Sequence, residues 1–92
     1  MPVQQQNELD RDREKQQREQ LHTLIGKYVV HSLGQPAGLF RVQVRRLWED
    51  HYRVNVLIGV DAATVKIAHS YFLVVESDGT VIASAPKITR QY

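Results

Sequence analysis

Apolar and polar residues alternate in two stretches of this chain, in the period-two manner of a half-buried strand. In Phe40-Arg41-Val42-Gln43-Val44-Arg45 the apolar side chains fall at even positions. They do so again in Tyr52-Arg53-Val54-Asn55-Val56, and the pattern runs on through Ile58 and Val60. Folded back on each other, the runs keep consistent faces in one register, with Val44 opposite Val54 and Val42 opposite Val56. A slip by one residue sets Val44 against Asn55 and mixes the wet face with the dry one. The bend then falls around Trp48-Glu49-Asp50.

A different period governs the segment before this hairpin. Leu21, Leu24, Ile25, Tyr28, Val29 and Leu33 recur at i, i+3, i+4 and i+7, which predicts one apolar helix stripe. Gly34 offers a left-handed cap, and Pro36 blocks any continuation. Gly26 lies inside the stripe at a cost of ~1 kcal/mol relative to Ala. It marks either a close contact with the sheet or a break at which residues 27–32 leave as a strand, and the helix is the preferred reading.

Downstream, residues 35–38 read as a turn and residues 61–64 as a connection. Residues 65–76 are rich in β-branched and aromatic side chains and predict a long strand. Its two faces are both apolar: Val65, Ile67, Tyr71, Leu73 and Val75 on one, Ala68, Phe72 and Val74 on the other. Such a strand is central in its sheet, or has its second face covered by another chain. A short helix capped by Asp61 over residues 62–68 is the alternative start. Ser77-Asp78-Gly79-Thr80 between apolar runs predicts a tight hairpin with positive φ at both central positions. Residues 81–88 return as the last strand, and Pro86 places it at a sheet edge.

Ninety-two residues make one domain. The chain has no cysteine, which excludes disulfides, thiolate metal sites and a cysteine nucleophile. The stretch Met1-Pro2-Val3-Gln4-Gln5-Gln6 has neither a basic nor an apolar leader region, so no secretory signal is expected, and no apolar run approaches the ~20 residues of a membrane helix. The expectation is a cytoplasmic protein that makes no membrane contact. The net charge of +2 is unevenly spread, since residues 1–20 carry −1 and residues 21–92 carry +3. The first twenty residues hold six glutamines and nine charges. They read as a polar, frayed or solvated helical extension, followed by a single domain over residues 21–92. Stepping back by sevens from Leu21 gives Glu14 and Asn7, so this extension is not a coiled coil.

The hairpin register carries the best chemical clue. It gathers Arg41, Gln43, Arg45, Arg53 and Asn55 on one polar face, with Arg45 directly opposite Arg53. Like charges facing each other on a sheet need compensation from solvent, from Glu49 or Asp50, or from an external anion. Trp48 and Tyr52 offer rings beside this face, and Arg46 extends the basic stretch. Basic and aromatic residues interleaved on a sheet are how single-stranded nucleic acids are commonly held. The plainer reading is a solvated outer face whose arginines cover apolar surface.

Other chemistry is thin. Histidines 22, 31, 51 and 69 include no pair at i,i+2 or i,i+4, so no metal site is expected. Glu49-Asp50-His51 puts three titratable groups in one turn, where they point in diverging directions. No Gly-x-Ser-x-Gly elbow and no Gly-rich phosphate loop is present. No cofactor is expected, and enzymatic activity is disfavoured.

The pattern as a whole predicts an α+β fold: one N-terminal amphipathic helix packed on a four-stranded, mostly antiparallel sheet made of two hairpins. In element order this resembles cystatin-like and nuclear-transport-factor-like scaffolds, which host binding proteins and enzymes alike. The first functional reading is a self-associating protein-interaction module, a homodimer, because the strand over residues 65–75 is apolar on both faces. The second is an anion or single-stranded nucleic-acid binder working through the arginine face, with an acidic protein as a further partner class. The third is a small-ligand or catalytic pocket between helix and sheet, lined by Tyr28, His31, Tyr71 and His69.

Overall fold

The apolar stripe and the alternating runs resolve into one helix laid across one face of an antiparallel sheet. A computed structural model describes residues 2–92, with side chains from Arg11 onward. The elements are α1 (Pro2–Leu33), β1 (Leu39–Trp48), β2 (His51–Ile58), β3 (Lys66–Val75) and β4 (Val81–Ala85). The sheet is open, with neighbouring strands in the order β1-β2-β3-β4, all antiparallel. The fold class is therefore α+β, as the pattern predicts.

Helix α1 runs without interruption through Gly26, so residues 27–32 stay helical. Ile25, Val29 and Leu33, spaced by four, are fully buried. They meet Val54, Val56, Tyr71, Leu73 and Val75 in one core. The apolar stripe is wider than the part the sheet covers, because Leu24 and Tyr28 on its flank remain 50% and 43% exposed. Gly26 lies on the opposite flank, close to β1. A Cβ added there would meet Val42 Cγ1 at 3.7 Å and Val44 Cγ2 at 3.9 Å. Residues 11–20 are helical and exposed throughout. The molecule is correspondingly long, 52 Å along its major axis. What the sequence suggests about the side chains of residues 1–10 lies outside the described residues.

The helix ends where Gly34 takes φ +87° and donates its N–H to the Val30 carbonyl at 2.8 Å. The carbonyl of Leu33, left unpaired by the helix, accepts the N–H groups of Gln91 and Tyr92 at 2.8 and 3.2 Å. The final residues thus form a strap that returns to the helix C-terminus, with Ile88 packed against the core on the way.

The first hairpin has the expected register. Val42 faces Val56, Val44 faces Val54, and Arg45 faces Arg53. Four bulges modify the simple alternation elsewhere, one of them in β4, whose pairing with β3 skips Ile82. The pairing of β1 with β2 skips Phe40 near one end and Leu47 near the other. In β3 it skips Ala68, so that Leu57 faces Ile67 while Val56 faces His69. Each skipped residue reverses the side on which later side chains emerge. Ile67 consequently leaves the face of Tyr71 and Leu73, where alternation alone would put it.

The remaining departures have local causes. Strand β2 stops at Ile58, and Val60 is 88% exposed. The Asp61 carboxylate accepts the N–H groups of Ala63 and Thr64, both at 3.0 Å, and this closes a turn instead of starting a helix. Strand β4 ends at Ala85, so residues 86–88 are not strand; Pro86 has no N–H with which to extend the ladder. The second hairpin is not the two-residue turn that Asp-Gly suggests. The Gly79 N–H bonds the Glu76 carbonyl at 2.9 Å, and the Glu76 N–H bonds the Thr80 carbonyl at 2.8 Å. Of the two central residues, Gly79 alone has positive φ, +94°, the arrangement of a three-residue loop ending in a glycine bulge.

Two glycine substitutions should therefore move stability in opposite directions. Gly26→Ala should stabilise by up to about 1 kcal/mol, because helix propensity improves and the new methyl meets ordinary contacts. Gly79→Ala should destabilise by about 1 kcal/mol or more, because its φ is left-handed and the methyl would lie 3.1 Å from Leu24 Cδ1. Urea unfolding midpoints of the two variants against the native chain measure both signs.

Candidate functional site: the outer face of the sheet

The helix lies on the face of Val44, Val54 and Leu73, and among the described residues no element covers the opposite face. That outer face is built in rows across the strands. One row pairs Gln43 with Asn55 and Asn55 with Ser70. The next pairs Arg45 with Arg53, Arg53 with Phe72, and Phe72 with Ala85. A third joins Trp48 to His51, Val74 and Ala83. Arg41 emerges one step beyond Gln43, opposite Leu57.

The bulge at Leu47 is what brings Trp48 into this surface. Trp48 has the parity of Val42 and Val44, whose side chains face the helix. Skipping one residue turns it over, opposite His51 on the outer side. There its indole stacks on the His51 imidazole, with centroids 4.6 Å apart and planes 19° apart. Phe72 lies tilted beneath both rings, at 5.9 Å from Trp48 and 5.6 Å from His51. Trp48 remains 54% exposed. The turn that sets this geometry is itself held: Glu49 adopts φ +44°, and its carbonyl accepts the Arg46 Nε–H at 2.6 Å. The Asp50 carbonyl accepts the Val75 N–H at 2.8 Å.

The polar half of the face is partly fixed. Arg53 donates to the Ser70 hydroxyl at 3.1 Å, and that hydroxyl donates to Asn55 Oδ1 at 2.7 Å. Arg45 has no side-chain hydrogen bond or ion pair with another described residue. Beside the face, Asp50 Oδ1 lies 3.0 Å from His51 Nδ1. That nitrogen is buried, and no well-directed hydrogen bond reaches it; ring and carboxylate sit on adjacent residues. No other ion pair occurs among the described residues. The arginine pair therefore keeps its charge without an internal counter-ion.

Of the residues singled out in the sequence, Arg41, Gln43, Arg45, Arg53, Asn55 and Trp48 all sit on this face. Tyr52 does not, because it is buried on the helix side with its ring edge-on to His22 at 5.9 Å. Arg46 also points to the helix side, where it lines a cleft of about 840 Å³ with Arg18, Leu21 and Asp78. Ser70, His51 and Phe72 complete the outer face, and their place depends on pairing across three strands. Of the four residues proposed for an inner pocket, two meet: the His69 and Tyr71 rings stack with centroids 6.3 Å apart. Tyr28 and His31 are exposed on the helix, Tyr71 is buried, and His69 Nε2 is 2.7 Å from the Tyr92 hydroxyl.

Among the described residues no group of three or more His, Cys, Asp or Glu side chains could hold a metal ion. No helix is long and apolar enough to cross a membrane there either. Compared with known protein families, with curated proteins and with solved structures, the chain matches none.

Titrating groups with displaced acidity lie away from the outer face. Burial raises the Tyr71 phenol, and nearby Tyr92 adds to the rise. The Thr80 N–H, bonded to the Asp78 carboxylate at 2.9 Å, lowers Asp78. Burial beside the sheet lowers His22 from 6.5, and the Arg18 charge adds to it. A lowered histidine stabilises the fold fully above its unfolded value, about 6.5. That contribution is lost as pH falls through the lower folded value. His22→Gln should thus reduce the fall in urea midpoint between pH 7.5 and pH 5, and an unchanged fall would remove His22 as its source.

Proposed function

We propose that the protein is a non-enzymatic interaction module whose working surface is the outer sheet face, and that its partner there is anionic. The observation that carries this reading is the charge balance of that face. Three guanidinium groups share it with a half-exposed indole, and among the described residues the one short charge contact, between Asp50 and His51, reaches none of them. A flat surface of this kind suits contact with another macromolecule better than it suits catalysis, which needs a shielded pocket and convergent groups.

Self-association is the second reading, favoured by the apolar side chains of the β3–β4 half, Phe72, Val74, Ala83 and Ala85. A four-stranded face ~19 Å wide and ~27 Å long offers roughly 500 Å². Two copies face to face would then bury about 1,000 Å², the floor for a biological interface. A two-fold axis through such a contact brings each Arg45–Arg53 pair towards its copy. That repulsion weighs against it.

Trp48 is the only tryptophan of the chain, so its fluorescence reports directly on the face. Polyglutamate or an oligonucleotide should shield it from acrylamide at about 50 mM salt and much less at about 500 mM, as screening requires. Arg45→Ala combined with Arg53→Ala should abolish the shielding. Shielding that instead follows protein concentration, and disappears in Val74→Lys, would establish the homodimer. If neither polymer nor concentration shields Trp48, the outer face is not the working surface.

A further inference from the structure

We infer that the anionic partner is a single-stranded nucleic acid, held by base stacking on Trp48 and by phosphate contact with Arg45 and Arg53. The inference rests on the reading of the outer face as an anion-binding surface, and it names the class of anion.

The arginine pair asks for negative charge. Arg45 and Arg53 occupy directly opposed positions on neighbouring strands, where like charges destabilise the pairing. Neither is relieved by a carboxylate among the described residues, and Arg53 is oriented by a hydroxyl that neutralises nothing. A phosphate between the two guanidinium groups removes the repulsion and gains charge-assisted hydrogen bonds. Charge alone would also admit an acidic peptide.

The aromatic corner decides between them. The indole of Trp48 is held by His51 on one side, which fixes its plane and lowers the entropy lost when a second ring stacks. A nucleobase is such a ring, and the side chains of an acidic peptide are not. The amides of Gln43 and Asn55, paired across β1 and β2 beside the arginines, can both donate and accept. They suit base edges, which present both kinds of group, better than carboxylates, which only accept. Duplex DNA is a poor fit, because its bases are already stacked and a flat sheet face cannot enter a groove. An unpaired strand can turn its bases toward the protein and still place phosphates over the arginines.

The test compares three polyanions of equal charge: a twelve-residue oligothymidylate, inorganic polyphosphate and polyglutamate. Each is titrated into the full chain at several salt concentrations, by anisotropy of a labelled polymer. The oligonucleotide should bind at least tenfold tighter than the other two. Trp48→Ala should cut oligonucleotide affinity by roughly 5- to 100-fold and leave polyphosphate binding unchanged. Trp48→Phe should retain most of the affinity, which separates loss of stacking from loss of fold. Arg45→Ala with Arg53→Ala should weaken oligonucleotide and polyphosphate alike and lower the salt slope for the oligonucleotide by about 1.4. Equal affinity for all three polymers, or insensitivity to Trp48→Ala, overturns the nucleic-acid inference and leaves the anion-binding face standing. Absence of binding to all three at low salt overturns both.

Discussion

One helix cannot cover a four-stranded sheet, and much of this structure follows from that mismatch. A helix with its side chains is about 10–12 Å across, whereas four strands span ~19 Å. Helix α1 passes close to Val42 and Val44 at Gly26, over β1. Ile25, Val29 and Leu33 then reach the centre of the inner face. What the helix leaves open on that side is narrowed from two directions. Leu21 and Leu24 reach the turn at Gly79, and the strap brings Ile88 against the core. The other face of the sheet receives no layer at all from the described residues, and its side chains are chosen accordingly.

The strap shows how a small domain without cysteine can fix a terminal segment by hydrogen bonding. The last carbonyls of a helix need donor partners or water. Here Leu33 receives two backbone N–H groups from Gln91 and Tyr92, and the Tyr92 hydroxyl meets His69 on β3. Helix end, central strand and final residues are thereby tied at one corner. The close fit at Gly34, where an added Cβ would run into the Tyr92 carbonyl, has the same origin. Positive φ and close approach both require glycine at that position.

What could be read from the chain depended on period. Alternation over residues 40–45 and 52–56 was enough to fix Val44 against Val54, because any slip moves a whole set of side chains to the wrong face. The helix was legible from its stripe for the same reason, although the stripe did not say that Leu24 and Tyr28 would stay exposed. Single-residue insertions escape such reasoning. The bulge at Leu47 leaves no mark in composition, yet it decides that Trp48 joins the arginines, whereas Tyr52 goes into the core by the unbroken alternation of β2. The bulge at Ala68 likewise moves Ile67 across the sheet. Residues 86–92 have no period, and their role depends on where the helix ends in space.

The outer face carries a compromise between staying apart and making contact. An open antiparallel sheet bearing Trp48, Phe72, Val74 and two alanines would invite indiscriminate stacking of copies if the rest of it were neutral. Three arginines set against that tendency, since copies brought face to face must bury like charges. The long edge strand β1 is defended similarly, by Arg41 and Arg45 and by bulges near both ends. Charge that discourages a second copy favours a partner of opposite sign. On the proposed reading, the cross-strand cost of opposing Arg45 to Arg53, unfavourable for the isolated fold, becomes a source of selectivity, because an anion placed between them recovers it.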